Sequence, residues 1–247
     1  MNEKKISAMR DGGKIMAQIF ADLREFTKPG LTGKDVDKFC EAKILEYGAS
    51  VAYYEPEVDF PGSICISVND ELIHGIPKDT VLEEGDKVSF DLVIKYKGYY
   101  TDSAFTMILG KPTAAQKHLL SFTESSLYEG IAQVRPGAKL GDIGYAVQKT
   151  LEKGKLGVIR NYVGHFIGEK MHLEPEVPNY GERGHGYTLK VGDTLCIEPM
   201  SSLGKPDTVV VEGDDGWTVC LRDGSLGCHF EHTVLVTEDG YEILTQA

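Results

Sequence analysis

The chain has 247 residues, of which 41% are hydrophobic and 26% are charged, so it is long enough to bury a sizeable core. Its 38 acidic and 26 basic residues give a net charge of −12 at pH 7, which argues against nucleic-acid binding and against a polybasic membrane anchor. No apolar run approaches the length of a membrane span, and the N-terminal segment, MNEKKISAMRDGGKIM, lacks the apolar run of a signal peptide.

The cysteines bear on the redox environment of the chain. They are five in number and include no CxxC pair: Cys40, Cys65, Cys196, Cys220 and Cys228. An odd, scattered set predicts neither a disulfide framework nor a structural zinc site. We therefore interpret the chain as a cytoplasmic protein with reduced thiols, in which most cysteines are small core residues.

The first predicted element with clear signals is a helix that follows a Pro-Gly turn in TKPGLTGKDVDKFCEAKILEYG. The turn lies at Pro29 and Gly30, and Asp35 lies near the start of the amphipathic pattern. Further along, NDELIHGIP places His74 between an apolar pair and a Gly-x-Pro turn, just before a segment that is rich in strand formers. A single histidine in such a position is more often structural than functional.

Residues 88–102, VSFDLVIKYKGYYTD, predict a β-hairpin with its turn at Lys97 and Gly98. A two-residue turn there places Asp91 and Asp102 on one sheet face as diagonal neighbours, roughly 7–8 Å apart at the backbone. A turn shifted by one residue would set them directly opposite, and only a three-residue loop would separate them. Two carboxylates this close repel each other, so one is protonated or a cation lies between them. A solvated Asp102 and an Asp91 paired with a lysine remain the alternatives.

The chain contains a repeat with an offset of 107 residues. Three positions of the first Pro-Gly block recur in VRPGAKLGDIGYAVQKTLEKGK: Pro29, Gly30 and Asp35 correspond to Pro136, Gly137 and Asp142. EEGDKVSFD, which ends at Asp91, and KVGDTLCIE, which ends at Glu198, share the same offset. The repeat predicts a tandem duplication of a helix-then-hairpin unit. We interpret residues 1–247 as a single domain with two pseudo-symmetric halves, about 1–110 and 111–247.

Helix and hairpin signals together predict an α+β fold, in which helices cover one face of a mostly antiparallel sheet. In the second half, WTVCLRDGSLGCHFEHTVLV adds strands around another turn and makes Glu231 the counterpart of Asp102. Four carboxylates are then predicted to converge: Asp91, Asp102, Glu198 and Glu231. Four negative charges would over-charge one cation, whereas two divalent cations would balance them.

The histidines in NYVGHFIGEKMHLEP, His165 and His172, are the best candidates for imidazole groups beside such a centre. Their spacing of seven would place them on opposite faces of a strand or on one face of a helix. Gly164 and Gly168 favour a loop and a turn instead, in which both rings could face one cavity. The other histidines are interpreted as solvated or structural: His118, His185, His229 and His232.

The chain contains five motifs in the following order: NDELIHGIP, the Asp91/Asp102 pair, GHFIGEKMHLEP, CIEPM and FEHT. Their order and spacings resemble those of the type I methionine aminopeptidase family. The resemblance runs from the KPG turn to YEIL near the end of the chain. It implies the duplicated pita-bread fold, a curved and mostly antiparallel sheet with helices on its outer face. It also implies metal-dependent removal of the N-terminal methionine from nascent proteins and peptides, with a preference for a small second residue, by metal-activated water.

The resemblance further implies roles for particular residues. The ligands of two divalent ions, which could be Co, Mn, Fe or Zn, would be Asp91, Asp102, His165, Glu198 and Glu231. The catalytic residues would be His74, His172 and Glu198. The substrate would contact His74, His172, Cys65, Phe60, Met171 and Trp217. The implied partners are the N-terminal peptides of nascent proteins near the ribosome, with no nucleic acid and no membrane, and the implied state is a cytoplasmic monomer.

The chain departs from the usual family pattern at several positions, which we expect around the pocket for the first side chain: Glu57, Val58, Phe166, Met171 and Leu173. These departures spare the ligands and bear on methionine selectivity. Alternative functions are an Xaa-Pro dipeptidase or aminopeptidase of the same fold and an aminopeptidase of broader specificity. A non-catalytic binding module of this fold and a dinuclear phosphoesterase rank lower, since all five ligands are present and no glycine-rich phosphate loop is found.

Overall fold

A computed structural model of the chain describes residues 2–205 and 210–246. Its helices are α1 (Glu3–Phe26), α2 (Gly33–Glu46), α3 (Ala114–Ile131) and α4 (Leu140–Lys153), with a 3₁₀ turn at Ala52–Tyr54. The strands of the first half are β1 (Ser50–Val51), β2 (Cys65–Val68), β3 (Glu71–Ile73), β4 (Lys87–Tyr96) and β5 (Tyr99–Ile108). Those that follow are β6 (Gly157–Val158), β7 (Gly164–Phe166), β8 (Leu173–Val177), β9 (Thr194–Ile197), β10 (Met200–Ser202), β11 (Val210–Glu212), β12 (Val219–Leu221), β13 (Gly227–His229), β14 (Glu231–Val236) and β15 (Tyr241–Ile243).

Nine of these strands form one large sheet. Its order is β1-β4-β5-β14-β9-β7-β8, with β2 beside β4 and β15 beside β14. Two three-stranded sheets, β13-β10-β6 and β11-β12-β3, complete the strand structure of the described residues. The central pairs β4–β5, β5–β14 and β14–β9 are all antiparallel. The predicted α+β fold with a mostly antiparallel sheet is confirmed.

The β4–β5 hairpin turns where the sequence predicts. Lys97 and Gly98 both have positive φ angles, 48° and 87°, as a type I′ turn requires at its two central residues. The register sets Asp91 opposite Ala104. On the other side of β5, β14 sets Glu231 opposite the same Ala104. Side chains that are directly opposite point to one face of a sheet, so the two carboxylates flank Ala104 on a common face.

The two amphipathic helices repeat at the offset found in the sequence. Helices α2 and α4 have 14 residues each, and α4 begins 107 residues after α2. In α2 the side chain of Asp35 accepts a hydrogen bond of 2.9 Å from the backbone N–H of Thr32, and Asp142 accepts the equivalent bond from Lys139. These bonds satisfy N–H groups at the helix start that have no partner within the helix. The division of the domain into two halves stays a prediction.

Helix α1 packs on the face of the sheet opposite the carboxylates. Phe20 of α1 meets Phe105 of β5 edge to face, with ring centroids 4.7 Å apart, and Phe90 of β4 lies 5.1 Å from the same ring. Because side chains alternate along a strand, Phe105 and Asp102 point to opposite faces of β5. This arrangement confirms the prediction that helices cover the outer face and leaves the inner face to the polar residues.

Lys87, the first residue of β4, has a fully buried side chain that the sequence pattern does not indicate. Its Nζ donates hydrogen bonds to the carbonyl oxygens of Glu71 at 2.8 Å and Ser67 at 3.1 Å. Burial lowers the pKa of the ammonium group to about 8. Lys87 therefore ties β4 to β2 and to β3, directly ahead of His74.

The cysteines agree with their interpretation as core residues. All five lie in the described ranges and carry free thiols, and four of them are buried: Cys40, Cys65, Cys196 and Cys228. Among the described helices, none has both the length and the apolar character needed to cross a membrane.

Candidate metal centre

The predicted site residues meet at one cavity of about 170 Å³ on the inner face of the large sheet. The cavity is lined by all five predicted ligands: Asp91, Asp102, His165, Glu198 and Glu231. His74 and His172 line the same cavity. A larger groove of about 390 Å³ lies beside α2 and β3, but none of the predicted site residues lines it.

Strand pairing positions the carboxylates. Asp91 and Asp102 lie on paired β4 and β5, Glu231 opens β14, and Glu198 directly follows β9. The hydroxyl of Thr233 on β14 joins two of these strands, because it accepts the backbone N–H of Asp102 at 3.0 Å and donates to its carbonyl at 2.7 Å. Three of the four acidic groups are thus held by strands, and Glu198 lies directly after one.

The buried carboxylates are short of partners. Asp102 Oδ1 and Glu231 Oε1 are buried, and neither has a hydrogen-bond partner in the part of the chain that the structure describes. Burial first, and then the charge of Asp102, raises the pKa of Asp91, Glu198 and Glu231 well above the usual range for carboxyl groups. Without a cation, such a cluster must take up protons or repel itself. The donors therefore fit one or more bound cations.

The orientation of the His165 ring points to the same conclusion. Its Nδ1 lies 3.1 Å from the carbonyl oxygen of Phe166, which can only accept a hydrogen bond, so we assign the ring proton to Nδ1. In the neutral ring, Nε2 then turns its lone pair toward Asp102 Oδ2 and Glu198 Oε1, each 3.6 Å away. Three electron-pair donors facing one point, with the other ring nitrogen held by a carbonyl, is an arrangement typical of a metal-binding histidine.

The segments that carry the two histidines differ from the expectation in one respect. His165 lies in the short strand β7 rather than in a loop, whereas His172 lies in the bend before β8. Gly164 allows β7 to approach β9, because a Cβ atom there would lie only 2.2 Å from the carbonyl oxygen of Cys196. The His165 and His172 rings meet nearly edge to face with centroids 4.3 Å apart, so both face one cavity as predicted.

Cys196 is a potential ligand that the sequence pattern does not single out. Its Sγ and one ligand atom each of Asp102, His165 and Glu231 all lie within 4.8 Å of one another. The thiol is buried, and burial raises its pKa well above the usual value. Its Sγ also lies 3.6 Å from the Thr233 hydroxyl. The alternation of side chains along β9, which places residues 196 and 198 on one face, is the signal that could have found it.

His74 and His172 differ from His165 in their surroundings. Burial lowers the pKa of both rings, so both are neutral at pH 7 and each keeps one N–H group to donate. His74 directly follows β3 and has a φ of 57°, a backbone conformation that non-glycine residues seldom adopt. Such strain is often retained where a side chain must be aimed at a site. His74 meets the ring of Tyr162 edge to face at 6.1 Å.

The remaining wall of the cavity is apolar and aromatic. It contains the predicted substrate-contacting residues Cys65, Phe60, Met171 and Trp217, together with Tyr53, Val58 and Val93. The rings of Phe60 and Trp217 meet at 90° with centroids 5.3 Å apart. The side chain of Asp215 accepts the backbone N–H of Trp217 at 3.0 Å, which orders the loop that carries the indole.

Only some of the departures from the family pattern reach the cavity. Val58 and Met171 line it, whereas Glu57, Phe166 and Leu173 do not. Phe166 instead pairs with Leu173 between β7 and β8 and packs edge to face on Tyr187. These three residues lie next in sequence to lining residues but do not line the cavity themselves. For Phe166 the reason is that side chains alternate along β7, so the residue after His165 faces away from the cavity.

One of the four remaining histidines also belongs to the site. His229 is 1% exposed, and its Nε2 lies 3.7 Å from Glu198 Oε2. Burial lowers its pKa to about 3. The sequence-based interpretation of His229 as a solvated or structural residue did not include this contact with Glu198. The spacing of two between His229 and Glu231 in an extended segment was the available signal.

Comparisons with known proteins agree over nearly the whole chain. The model of metallopeptidase family M24 matches residues 7–238. The chain is 40% identical over 243 residues to methionine aminopeptidase 1 of Bacillus subtilis (strain 168), with 98% of this chain and 97% of that protein covered. It resembles the crystal structure of methionine aminopeptidase from Rickettsia prowazekii with a TM-score of 0.94 and 41% identity, covering 99% of this chain and 98% of that one.

Two further solved structures share the fold. The methionine aminopeptidase from Thermotoga maritima gives a TM-score of 0.96 at 39% identity and covers 100% of this chain and 98% of that one. The prolidase from Pyrococcus furiosus gives a TM-score of 0.79 at 21% identity, and 100% of this chain covers 65% of that one. At that identity, the likeness to the prolidase concerns the fold alone.

Proposed function

Because the chain belongs to metallopeptidase family M24, we propose that it removes the N-terminal methionine from peptides and proteins by metal-dependent hydrolysis. The observation that carries this proposal is the convergence of four carboxylates and one imidazole on a cavity with an apolar wall. The identity of about 40% to methionine aminopeptidases over nearly the full chain supports the same substrate.

The donors suit divalent cations. These cations would be held by Asp91, Asp102, His165, Glu198 and Glu231. Carboxylate oxygens with a single imidazole form a ligand set that suits Mn, Fe, Co or Zn, in contrast to a zinc site built from thiolates. Four carboxylates balance the charge of two divalent ions, so we propose two. When bound, such ions act as Lewis acids and make a water nucleophile available near neutral pH.

The residues of the chain supply the remaining steps. Glu198 would accept a proton from the attacking water and pass it to the leaving amine. His172 would donate its N–H to the carbonyl oxygen of the scissile bond as negative charge develops there. His74 would hydrogen-bond the substrate backbone. A cavity of about 170 Å³ accommodates one side chain, which supports cleavage after the first residue only.

The apolar wall supports methionine as that first residue. Methionine is unbranched and flexible, and its sulfur makes favourable contacts with the edges of aromatic rings. Phe60 and Trp217 supply aromatic rings to the cavity wall, and Met171 and Val58 add aliphatic surface. We further propose a small second residue and nascent chains near the ribosome as substrates, and a monomer in the cytoplasm.

The experiment that tests this function is a peptide panel assayed with Mn, Fe, Co and Zn in turn. We expect Met-Ala-Ser to be cleaved well ahead of Leu-Ala-Ser and Ala-Pro peptides, and Met-Ala-Ser ahead of Met-Leu-Ser. Faster cleavage of Ala-Pro would favour the Xaa-Pro peptidases instead. Equal rates for Met-Ala-Ser and Leu-Ala-Ser would favour an aminopeptidase of broad specificity, for which Val58 and Met171 in the cavity wall are the relevant observation.

A further inference from the structure

We propose that His229 is a positioning residue for Glu198, whose carboxylate it orients by donating a hydrogen bond from Nε2 to Oε2. This proposal rests on the proposed function, because it assigns His229 to the same site. Glu198 is the carboxylate expected both to bind metal and to move a proton, so its orientation affects metal affinity and turnover.

Glu198 lies between two imidazole rings. Its Oε1 is 3.6 Å from His165 Nε2, and its Oε2 is 3.7 Å from His229 Nε2. An ionised carboxylate offers only acceptors, so the His229 nitrogen that faces it stabilises the contact only as a donor. One oxygen of Glu198 is thereby held by His229, and the other is left pointing toward His165 and the proposed metal position.

The ring of His229 makes no hydrogen bond with the part of the chain that the structure describes. The ring is buried, and neither nitrogen has a hydrogen-bond partner among residues 2–205 and 210–246. Leaving a buried polar group unsatisfied costs about 1–3 kcal/mol. The separation of 3.7 Å exceeds a normal hydrogen bond, but a shift of about 0.7 Å brings the two atoms into range. Glu198 Oε2 is the acceptor that would satisfy the Nε2–H group.

The backbone of His229 is fixed, so the ring is presented at a defined position. Thr106 of β5 donates to the His229 carbonyl at 2.6 Å, and the His229 N–H donates back to the Thr106 hydroxyl at 3.2 Å. Pairing between β13 and β10 sets His229 opposite Met200, two residues after Glu198. A ring that is buried and carried by a backbone held in this way can orient its neighbour with little loss of conformational freedom on binding.

Loss of this donor should free the Glu198 carboxylate to rotate. Partners of metal-binding groups in the surrounding shell typically contribute 10–100-fold in metal affinity or activity. We therefore expect His229→Leu, which lacks a donor, to lose about 10–100-fold in Mn²⁺ affinity and in kcat, with little change in KM. His229→Gln restores an N–H donor and should recover most of both. His185→Leu, at an exposed position, is the matched control and should change neither.

The test combines Mn²⁺ titration calorimetry on the chelated protein with kcat and KM for Met-Ala-Ser. Equal affinity and kcat in wild type and His229→Leu would overturn the proposal, and so would equal losses in the Leu and Gln variants, which would indicate packing alone. If His229→Leu does not fold, ¹H–¹⁵N spectra of the wild-type imidazoles decide. We expect a proton on Nε2 of His229, and a proton on Nδ1 alone contradicts its role as donor. Because metal affinity and the ring spectrum need no peptide, they still report on His229 if Met-Ala-Ser is not a substrate.

Discussion

Asp102 and Glu231 lie on the neighbouring strands β5 and β14, and each keeps one buried carboxylate oxygen without a hydrogen-bond partner in the described part of the chain. The Thr233 hydroxyl bridges the two strands through the backbone of Asp102, so the residues that carry the two carboxylates are held on adjacent strands. Buried like charges on rigid strands destabilise a protein unless they take up protons or a cation lies between them. Their arrangement is therefore explained by the cation it would bind.

Metal removal should lower the stability of the fold. A ligand that binds only the folded state adds about 2.7 kcal/mol to the free energy of unfolding at a concentration of 100 times Kd. We expect the melting temperature of the chelated protein to rise on titration with Mn²⁺, as measured by differential scanning calorimetry. Asp102→Ala should show a much smaller rise. An identical melting temperature with and without Mn²⁺ would argue against a metal site at these residues.

Ligands and substrate-facing residues should separate in metal analysis. Asp102→Ala removes a proposed ligand, so metal content and turnover should fall together. His172→Ala removes a donor to the developing oxyanion, which typically costs about 10²–10³ in kcat, or about 2.7–4 kcal/mol. Its metal content and KM should stay close to those of wild type. Loss of metal from purified His172→Ala would assign His172 to the ligands instead.

The buried Lys87 should give the protein a specific pH dependence of stability. Below about pH 8, the ammonium group is charged in both the folded and the unfolded chain, so its burial cost is fully present. Above about pH 8, the folded protein loses this proton while the unfolded chain, with a lysine pKa of about 10.4, keeps it. The unfolded state then binds more protons, and the free energy of unfolding rises with pH.

This contribution amounts to about 2–3 kcal/mol between pH 7 and pH 10. Urea denaturation of the chelated protein at several pH values measures it, with Lys87→Met as the comparison because methionine cannot titrate. The free energy of unfolding of the wild type should rise relative to that of Lys87→Met as the pH rises. Parallel curves for the two proteins would show that Lys87 does not titrate in this range.

The cavity wall should control the choice of first residue. Met171 lines the cavity and Glu57 does not. Met171→Ala should enlarge the space for the first side chain. We expect it to raise kcat/KM for Phe-Ala-Ser relative to Met-Ala-Ser by about tenfold, which lies within the range of substrate discrimination by hydrophobic pockets. Glu57→Ala is the control and should leave the ratio unchanged. An unchanged ratio in Met171→Ala would remove Met171 from the specificity pocket.

Local patterns predicted the hairpin and its register. The turn at Lys97 and Gly98 is a matter of local backbone chemistry, and the period of two along a strand then fixes which face Asp91 and Asp102 share. The repeat offset supplied Glu198 as the counterpart of Asp91 without any knowledge of the fold. These features were accessible because each depends on near neighbours in the sequence or on internal symmetry.

The parts that sequence patterns did not predict depend on contacts between distant segments. His229 reaches Glu198 only because β13 pairs with β10, and Lys87 is buried only because β2 and β3 fold over β4. Neither pairing has a local signature. Sequence proximity alone would place Phe166 at the cavity wall. Its neighbour His165 lines the cavity, whereas the side chain of Phe166 packs on Tyr187.

Metal-dependent removal of methionine at the carboxylate cluster can be tested by following the release of free methionine from Met-Ala-Ser by mass spectrometry. The purified chain is exhaustively chelated and then titrated with Mn²⁺, Fe²⁺, Co²⁺ or Zn²⁺. We predict no release from the chelated protein and restoration of free methionine and Ala-Ser by at least one of these metals. Release that persists after chelation, or no release with any of the four metals, would contradict metal-dependent removal of methionine by this protein.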